Sequence, residues 1–201
     1  MPIFWNNHIG LRPFEEPLTD TEIEKIYHWS RDDEVLRWSG GAPTELTLDE
    51  FQTRLRGDQK NQLTHRRAFL IVLRSGQIIG RVGVFAIDWE KREGELGIAI
   101  GETTQWDKGY GREAIQLILG KIFQSTLLER IYLYTFPDNV RAQRCFAACG
   151  FHVLGTAQRF SPDLGEYDGV EMEITKRGWQ LMETLKVSSA DGIRDKTRTA
   201  D

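Results

Sequence analysis

Apolar and polar residues alternate along this chain in two rhythms, one of strands and one of helices. "IGLRPF", Ile9 to Phe14, reads as a short opening strand. "LTDTEI" then carries a helix start: Thr19 is placed as N-cap with Glu22 to answer it, and Leu18 and Ile23 are placed for a hydrophobic staple. That helix runs to about Ser30, with Ile23, Ile26 and Tyr27 on one face. "LTLDEF" repeats the device with Thr47, Glu50, Leu46 and Phe51, and predicts a second helix to about Leu55 or beyond. Between them "RDDEVLRWSGGAP" reads as a break rich in turn residues.

Two strongly apolar runs follow, Phe69–Leu73 and Ile78–Ile87, joined at Ser75 and Gly76 as a hairpin. "DWEKREGE" makes the next turn, and Glu95–Gly101 is a third strand. Ala114, Ile115, Leu117, Ile118, Ile122 and Phe123 keep helical spacing, which predicts a helix from about Gly109 to Gln124. Arg130–Phe136 alternates, aromatic and β-branched, as a strand. "NVRAQRCFAACGF" is a short helix from near Asn139, closed by Gly150 as a left-handed cap. Phe151–Ala157 and Val170–Thr175 are the last strands, and the polar, aperiodic stretch from Val187 reads as a flexible tail. The order predicts a mixed α/β (α+β) sheet protein, a single domain over residues 1–186 without internal repeats. The early antiparallel hairpin argues against a doubly wound dinucleotide fold.

Composition narrows the partners. The 201 residues suit one domain with a sizeable core. A net charge of −4 gives no reason to expect a nucleic-acid partner. "MPIFWNNHIGLRPF" has no basic start before a long apolar run, and no apolar stretch approaches the roughly 20 residues of a membrane span, so a cytoplasmic protein without a membrane partner is expected. Cys145 and Cys149 lie one turn apart on a predicted helix and read as small core residues in a reducing setting. His8, His28, His65 and His152 are scattered, so no metal is expected.

"QWDKGYGREA", Gln105 to Ala114, puts two glycines where a helix begins. A helix N-terminus offers orphan N–H groups and partial positive charge, and glycine lets backbone approach a ligand. The stretch is a candidate phosphate cradle, with Lys108 and Arg112 adding charge. It lacks the Walker spacing and the third glycine of the dinucleotide fingerprint. Plain turn chemistry is the competing reading.

Taken together in order, "IGLRPFEEPLTDTEIEKIYHW", "RDDEVLRW", "GELGIAIGETTQWDKGYGREAIQLIL" and "NVRAQRCFAACGF" resemble the GNAT superfamily of acetyl-CoA-dependent N-acetyltransferases, and within it the RimJ/RimL type that acetylates protein N-termini. The resemblance covers Ile9 to Trp179. It implies a mostly antiparallel sheet in which two neighbouring parallel strands, Glu95–Ile100 and Arg130–Thr135, splay apart. Acetyl-CoA would lie in that gap as co-substrate, its pantetheine arm along Ile98, Ala99 and Ile100. Its pyrophosphate would rest on main-chain N–H groups from Trp106 through Asp107, Lys108, Gly109, Tyr110 and Gly111 to Arg112, with Asn139 and Arg144 as further cofactor contacts.

The implied chemistry is direct attack of an amine on the thioester. A main-chain N–H near Ile98 or Ala99 would meet the oxyanion. Glu95 would take the amine's proton, directly or through water, or would be a solvated strand-end carboxylate; Glu93 is the poorer candidate. Many relatives carry a tyrosine seven residues after the helix asparagine, where this chain has Phe146, so the thiolate would leave unassisted. Asn139 would bind the cofactor or an ordered water, or cap its helix. Trp38, Glu95 and Tyr134 are candidates for the acceptor side; Trp29 and Trp89 could line an acceptor pocket too, with core or rim packing as the competing reading, and Tyr132 reads as packing. The acceptor is left open between a protein N-terminus and a small amine such as an aminoglycoside or a polyamine, and a homodimer is left open too. The competing class is a coenzyme A-binding regulatory module without turnover.

Overall fold

The computed structural model describes residues 3–60, 65–161 and 165–186; the tail from Val187, expected to be flexible, lies outside the described residues. Both predicted capping devices are present. At helix α1 (Asp20–Trp29) Thr19 Oγ1 accepts from Glu22 N at 3.2 Å, and the Glu22 carboxylate accepts from Thr19 N at 3.0 Å.

Where the sequence predicted a break, the chain forms helix α2 (Asp33–Ser39). Asp32 Oδ1 accepts from Glu34 N at 2.9 Å and Val35 N at 3.0 Å, and Gly40, at φ 74°, ends the helix in the left-handed region. The acidic pair that resembles turn chemistry is a cap and first turn, anchored by buried Val35.

Thr47 and Glu50 open helix α3 (Leu48–Lys60) in the same manner as α1. It continues past Leu55 because Gln59 Nε2 donates to the carbonyls of Phe14 and Glu16 at 2.7 and 2.6 Å.

Strands β1 (Phe4–Trp5), β2 (Ile9–Pro13), β3 (Arg67–Leu73), β4 (Ile78–Asp88), β5 (Glu93–Ile100), β6 (Arg130–Thr135), β7 (His152–Ser161) and β8 (Gly165–Thr175) form one sheet. Its order is β1-β2-β3-β4-β5-β6-β8-β7, and every pair is antiparallel except β5–β6. This is the mixed, mostly antiparallel sheet expected. β1 and a closing helix, α6 at 176–186, have no counterpart in the predicted order. β7 and β8 outrun their predicted lengths: the added, mainly polar residues pair in register from Ala157↔Gly169 to Ser161↔Gly165, which no apolar alternation announces.

Helices α4 (Tyr110–Ser125) and α5 (Val140–Ala147), with Trp179 of α6, pack on one face of the sheet against a core containing Ile79, Val82, Leu96 and Ile118. α1, α2 and α3 cover the other face through Ile26, Val35 and Leu55. Since side chains alternate along a strand, Leu96 on the α4 side leaves Glu95, Gly97 and Ala99 facing the α1–α3 side. Gly101, just beyond β5, abuts the buried Trp29 ring, which a Cβ there would overlap. Gly101→Ala is expected to lower the unfolding free energy by about 1–3 kcal/mol through overpacking. A lower urea midpoint at unchanged slope is the expected reading, and an unaltered midpoint would show that Trp29 yields freely.

Candidate active site

β5 and β6 pair at only three positions, Glu93↔Arg130, Gly94↔Ile131 and Glu95↔Tyr132. Beyond them β5 stays with β4 as far as Gly80↔Ile100, and β6 stays with β8 as far as Thr135↔Val170, so the two strands part. Arg130 holds the closed end, reaching Glu93 at 2.9 Å, Glu171 at 3.1 Å and also Glu173. Desolvation works against its charge, but hydrogen bonds to these carboxylates win and push its pKa up.

The open edge of β5 has a definite polarity. Gly101 N donates to Ile79 O at 2.9 Å, and antiparallel alternation therefore turns the main-chain groups of Ile98 and Ile100 away from β4, toward the gap. The Ile100 carbonyl accepts the Trp106 indole N–H at 2.8 Å. Ile98 is thus the gap-facing residue next to an already satisfied carbonyl.

A cavity of about 560 Å³ occupies this gap, lined by residues of α4 and α5 and also by Val35, Trp38 and Ser39 of α2. Of the residues expected at the cofactor, Ile98, Ala99, Ile100, Trp106, Asp107, Gly109, Tyr110, Gly111, Arg112, Asn139 and Arg144 all line it. Lys108 does not, and its ammonium donates to Gln105 Oε1 at 3.1 Å. Gly109, at φ 84°, starts α4 without a side-chain cap, which leaves the first N–H groups of the helix to the cavity. A Cβ on Gly109 would meet nothing within 4 Å, and one on Gly111 would meet only Cys145 Sγ at 3.8 Å. The two glycines therefore keep space clear in front of a positive helix end, as a phosphate-bearing ligand requires. Glu113, the one carboxylate of the first turn, is engaged by His8 through its N–H at 3.1 Å and its Nδ1 at 2.6 Å.

The structure adds residues here that sequence reasoning passed over. Arg141 lies over the Trp106 ring at 4.1 Å and meets Asp107 at 3.8 Å. Cys145 was expected in the core, yet it lines the cavity; only Cys149 is buried. A hydrogen bond with Cys149 lowers the Cys145 thiol pKa, against desolvation and with help from Arg112 and Arg141. Asn139 Oδ1 caps α5, accepting from Ala142 N at 3.1 Å. Phe146 lines the cavity and packs edge-on against Phe151, with no proton to offer.

A second cavity, about 530 Å³, lies on the α1–α3 side of β5, over Gly97 and Ala99 and under Trp29. Ile98, Ala99, Val35 and Ser39 border both cavities. Trp38, expected on the acceptor side, lines the first cavity and not the second; the short helix α2 turns it there, with Arg37 stacked on it at 4.9 Å.

Glu95 and Tyr134 line neither cavity. Glu95 occupies the last paired position of the fork, with Arg159 Nη2 at 3.4 Å from its carboxylate. Desolvation raises its pKa, and Arg159 only partly offsets the rise. The Arg159 guanidinium covers the Tyr134 ring at 3.8 Å, and burial raises the Tyr134 phenol pKa, with Glu171 adding to it. Among the described residues no group of three or more His, Cys, Asp or Glu side chains could hold a metal ion, and no helix is long and apolar enough to cross a membrane.

Comparison with known proteins identifies the fold and the family. The spermidine N-acetyltransferase of Vibrio cholerae, solved in complex with CoA and spermine, shares the fold with a TM-score of 0.73 at 23% identity, over 87% of this chain and 99% of that one. An N-acetyltransferase of Bacillus licheniformis, p20, itself uncharacterised, is 26% identical over 86% of this chain and 94% of its own. The aminoglycoside N(6')-acetyltransferase type 1 of Klebsiella pneumoniae is 22% identical over 69% of this chain and 73% of its own. The family model of the acetyltransferase (GNAT) domain matches residues 9–152, and the chain belongs to that family.

Proposed function

We propose that this enzyme transfers an acetyl group from acetyl-CoA to the primary amine of a small molecule, with both substrates bound at once. One observation carries the reading: two cavities adjoin at β5 and share Ile98 and Ala99. The first, with the uncapped start of α4 and with Arg112, Arg141 and Arg144 on its lining, suits a phosphate-bearing donor. The second admits the acceptor.

In this reading the N–H of Ile98 faces the thioester carbonyl and stabilises the charge that develops on its oxygen. Glu95, whose pKa is raised by desolvation, receives the ammonium proton through water, since it stands at the fork and outside both cavities. The Asn139 oxygen accepts the cap bond, and its amide nitrogen is left to donate to a ligand. The thiolate leaves without an acid, because Phe146 stands where a donor would.

A small amine is favoured because two of the three named relatives are an aminoglycoside and a spermidine acetyltransferase. The protein N-terminal amine of the RimJ/RimL type rests on the sequence resemblance alone. A coenzyme A-binding module without turnover would bind acetyl-CoA yet release no thiol with any amine.

Gly111→Glu is expected to weaken acetyl-CoA binding more than about 100-fold while the fold persists, read by calorimetric titration beside circular dichroism. Unchanged affinity would remove the cradle assignment. Glu95→Gln is expected to slow turnover by about 100-fold or more, with acetyl-CoA affinity nearly intact. The wild-type acid limb of kcat/KM should lie above the ordinary carboxylate range, because the base works only when deprotonated and burial raises its pKa. Arg159→Met should move that limb to higher pH, since Arg159 is what lowers it; a limb that stays put would detach Arg159 from the base.

A further inference from the structure

The second cavity holds a charge that nothing else in the fold uses. Arg81 stands directly opposite Ala99 in the β4–β5 register, and its side chain opens into the cavity beside Phe85, Gly97 and Ala99. The Arg81 side chain is solvent-exposed where it lines the cavity, yet enough protein stands around the guanidinium for desolvation to push its pKa down. Among the described residues it has no hydrogen-bond partner, no carboxylate and no stacked ring, although most arginines near the sheet are paired or stacked. Two other charged residues line the cavity. Arg66 donates to the main-chain oxygen of Asp58 at 2.6 Å, and the Asp58 carboxylate pairs with neither arginine. A guanidinium without a counter-charge has all its donors free for a ligand, and its planar fork of donors matches a carboxylate.

We infer that Arg81 is the specificity-determining residue of the acceptor cavity, and that the acceptor is a compact amine that also carries a carboxylate. This rests on the reading of the second cavity as the acceptor's. The cavity volume, about 530 Å³, fits one small molecule, and Ala99 ties the arginine to the reacting end of β5. The amine faces Ile98, and the carboxylate takes the two-point hydrogen bond from Arg81. A polyamine would bring a second ammonium against Arg81, so this pocket departs from the substrate named for the Vibrio relative.

The test uses matched pairs that differ only in the carboxylate: glycine, β-alanine and 4-aminobutyrate against their primary amides, with spermidine as the cationic control. Acetyl-CoA-dependent thiol release is measured, and calorimetric binding to the CoA-saturated protein is measured beside it. At least one acid is expected to exceed its amide by about tenfold or more in kcat/KM and in affinity, and spermidine is expected to be the poorest. In Arg81→Gln the acid-to-amide ratio should fall toward one, with acetyl-CoA affinity retained as the control for folding. Amides equal to acids, or a ratio unmoved in Arg81→Gln, would overturn the assignment. So would the absence of binding by every acid while acetyl-CoA still binds, which leaves the donor site standing. Loss of acetyl-CoA binding by the wild type would instead strike the functional reading itself.

Discussion

The architecture depends on a parallel pairing that stops early. β5 and β6 share three rungs and then diverge, because each is held by an antiparallel neighbour that continues past the point of separation. Buried main-chain groups require partners. On β5 the Trp106 indole supplies one for Ile100, and the edge at Ile98 is left for a ligand that can hydrogen-bond like another strand. The cleft is thus a piece of sheet with a missing segment, and the extended, amide-bearing arm of the donor is a chemical match for that segment.

Small residues decide where the two cavities can meet. Gly97 and Ala99 leave the α1–α3 face of β5 low, and the Phe85 ring lies across Gly83 and Gly97 as one wall. Helix α2 contributes Val35 and Ser39 to both cavities, so one short element shapes the two approaches together. Charge is segregated in the same way. A chain of net charge −4 gathers Arg112, Arg141 and Arg144 around the start of α4, and such local fields guide anions whatever the net charge.

Local signals in the sequence were read well, and features created by pairing were not. The capping boxes at Thr19 and Thr47 and the glycines before α4 are contained within a few residues each, and all three are in the fold. Helix α2 escaped because Asp and Gly serve caps and turns alike. The polar ends of β7 and β8 are strands only because each has the other, and Arg159 and its approach to Glu95 went unseen with them. Arg81 interrupts an otherwise apolar run, "IIGRVGVF", and only the fold reveals that it lines a cavity. The predicted cofactor set gathers around one cavity apart from Lys108, since those residues lie on two contiguous segments whose placement follows from the splay. Tyr134, Trp38 and Glu95 depend on long-range register and on the turn of a short helix, and their surroundings had no signature in the chain.

The Arg130 cluster acts on the site as a riveted pivot acts on a pair of compasses. Ile98 lies three residues beyond the last rung, roughly 10 Å along the strand at its usual rise. An angular error of about 5° at the pivot would carry Ile98 sideways by close to 1 Å, a misplacement that costs about 100-fold in rate for a well-aligned reaction. Glu93, Glu171 and Glu173 bind no substrate in this scheme. The aim of a reacting amine nonetheless depends on how tightly three carboxylates hold one guanidinium at the far end of the cleft.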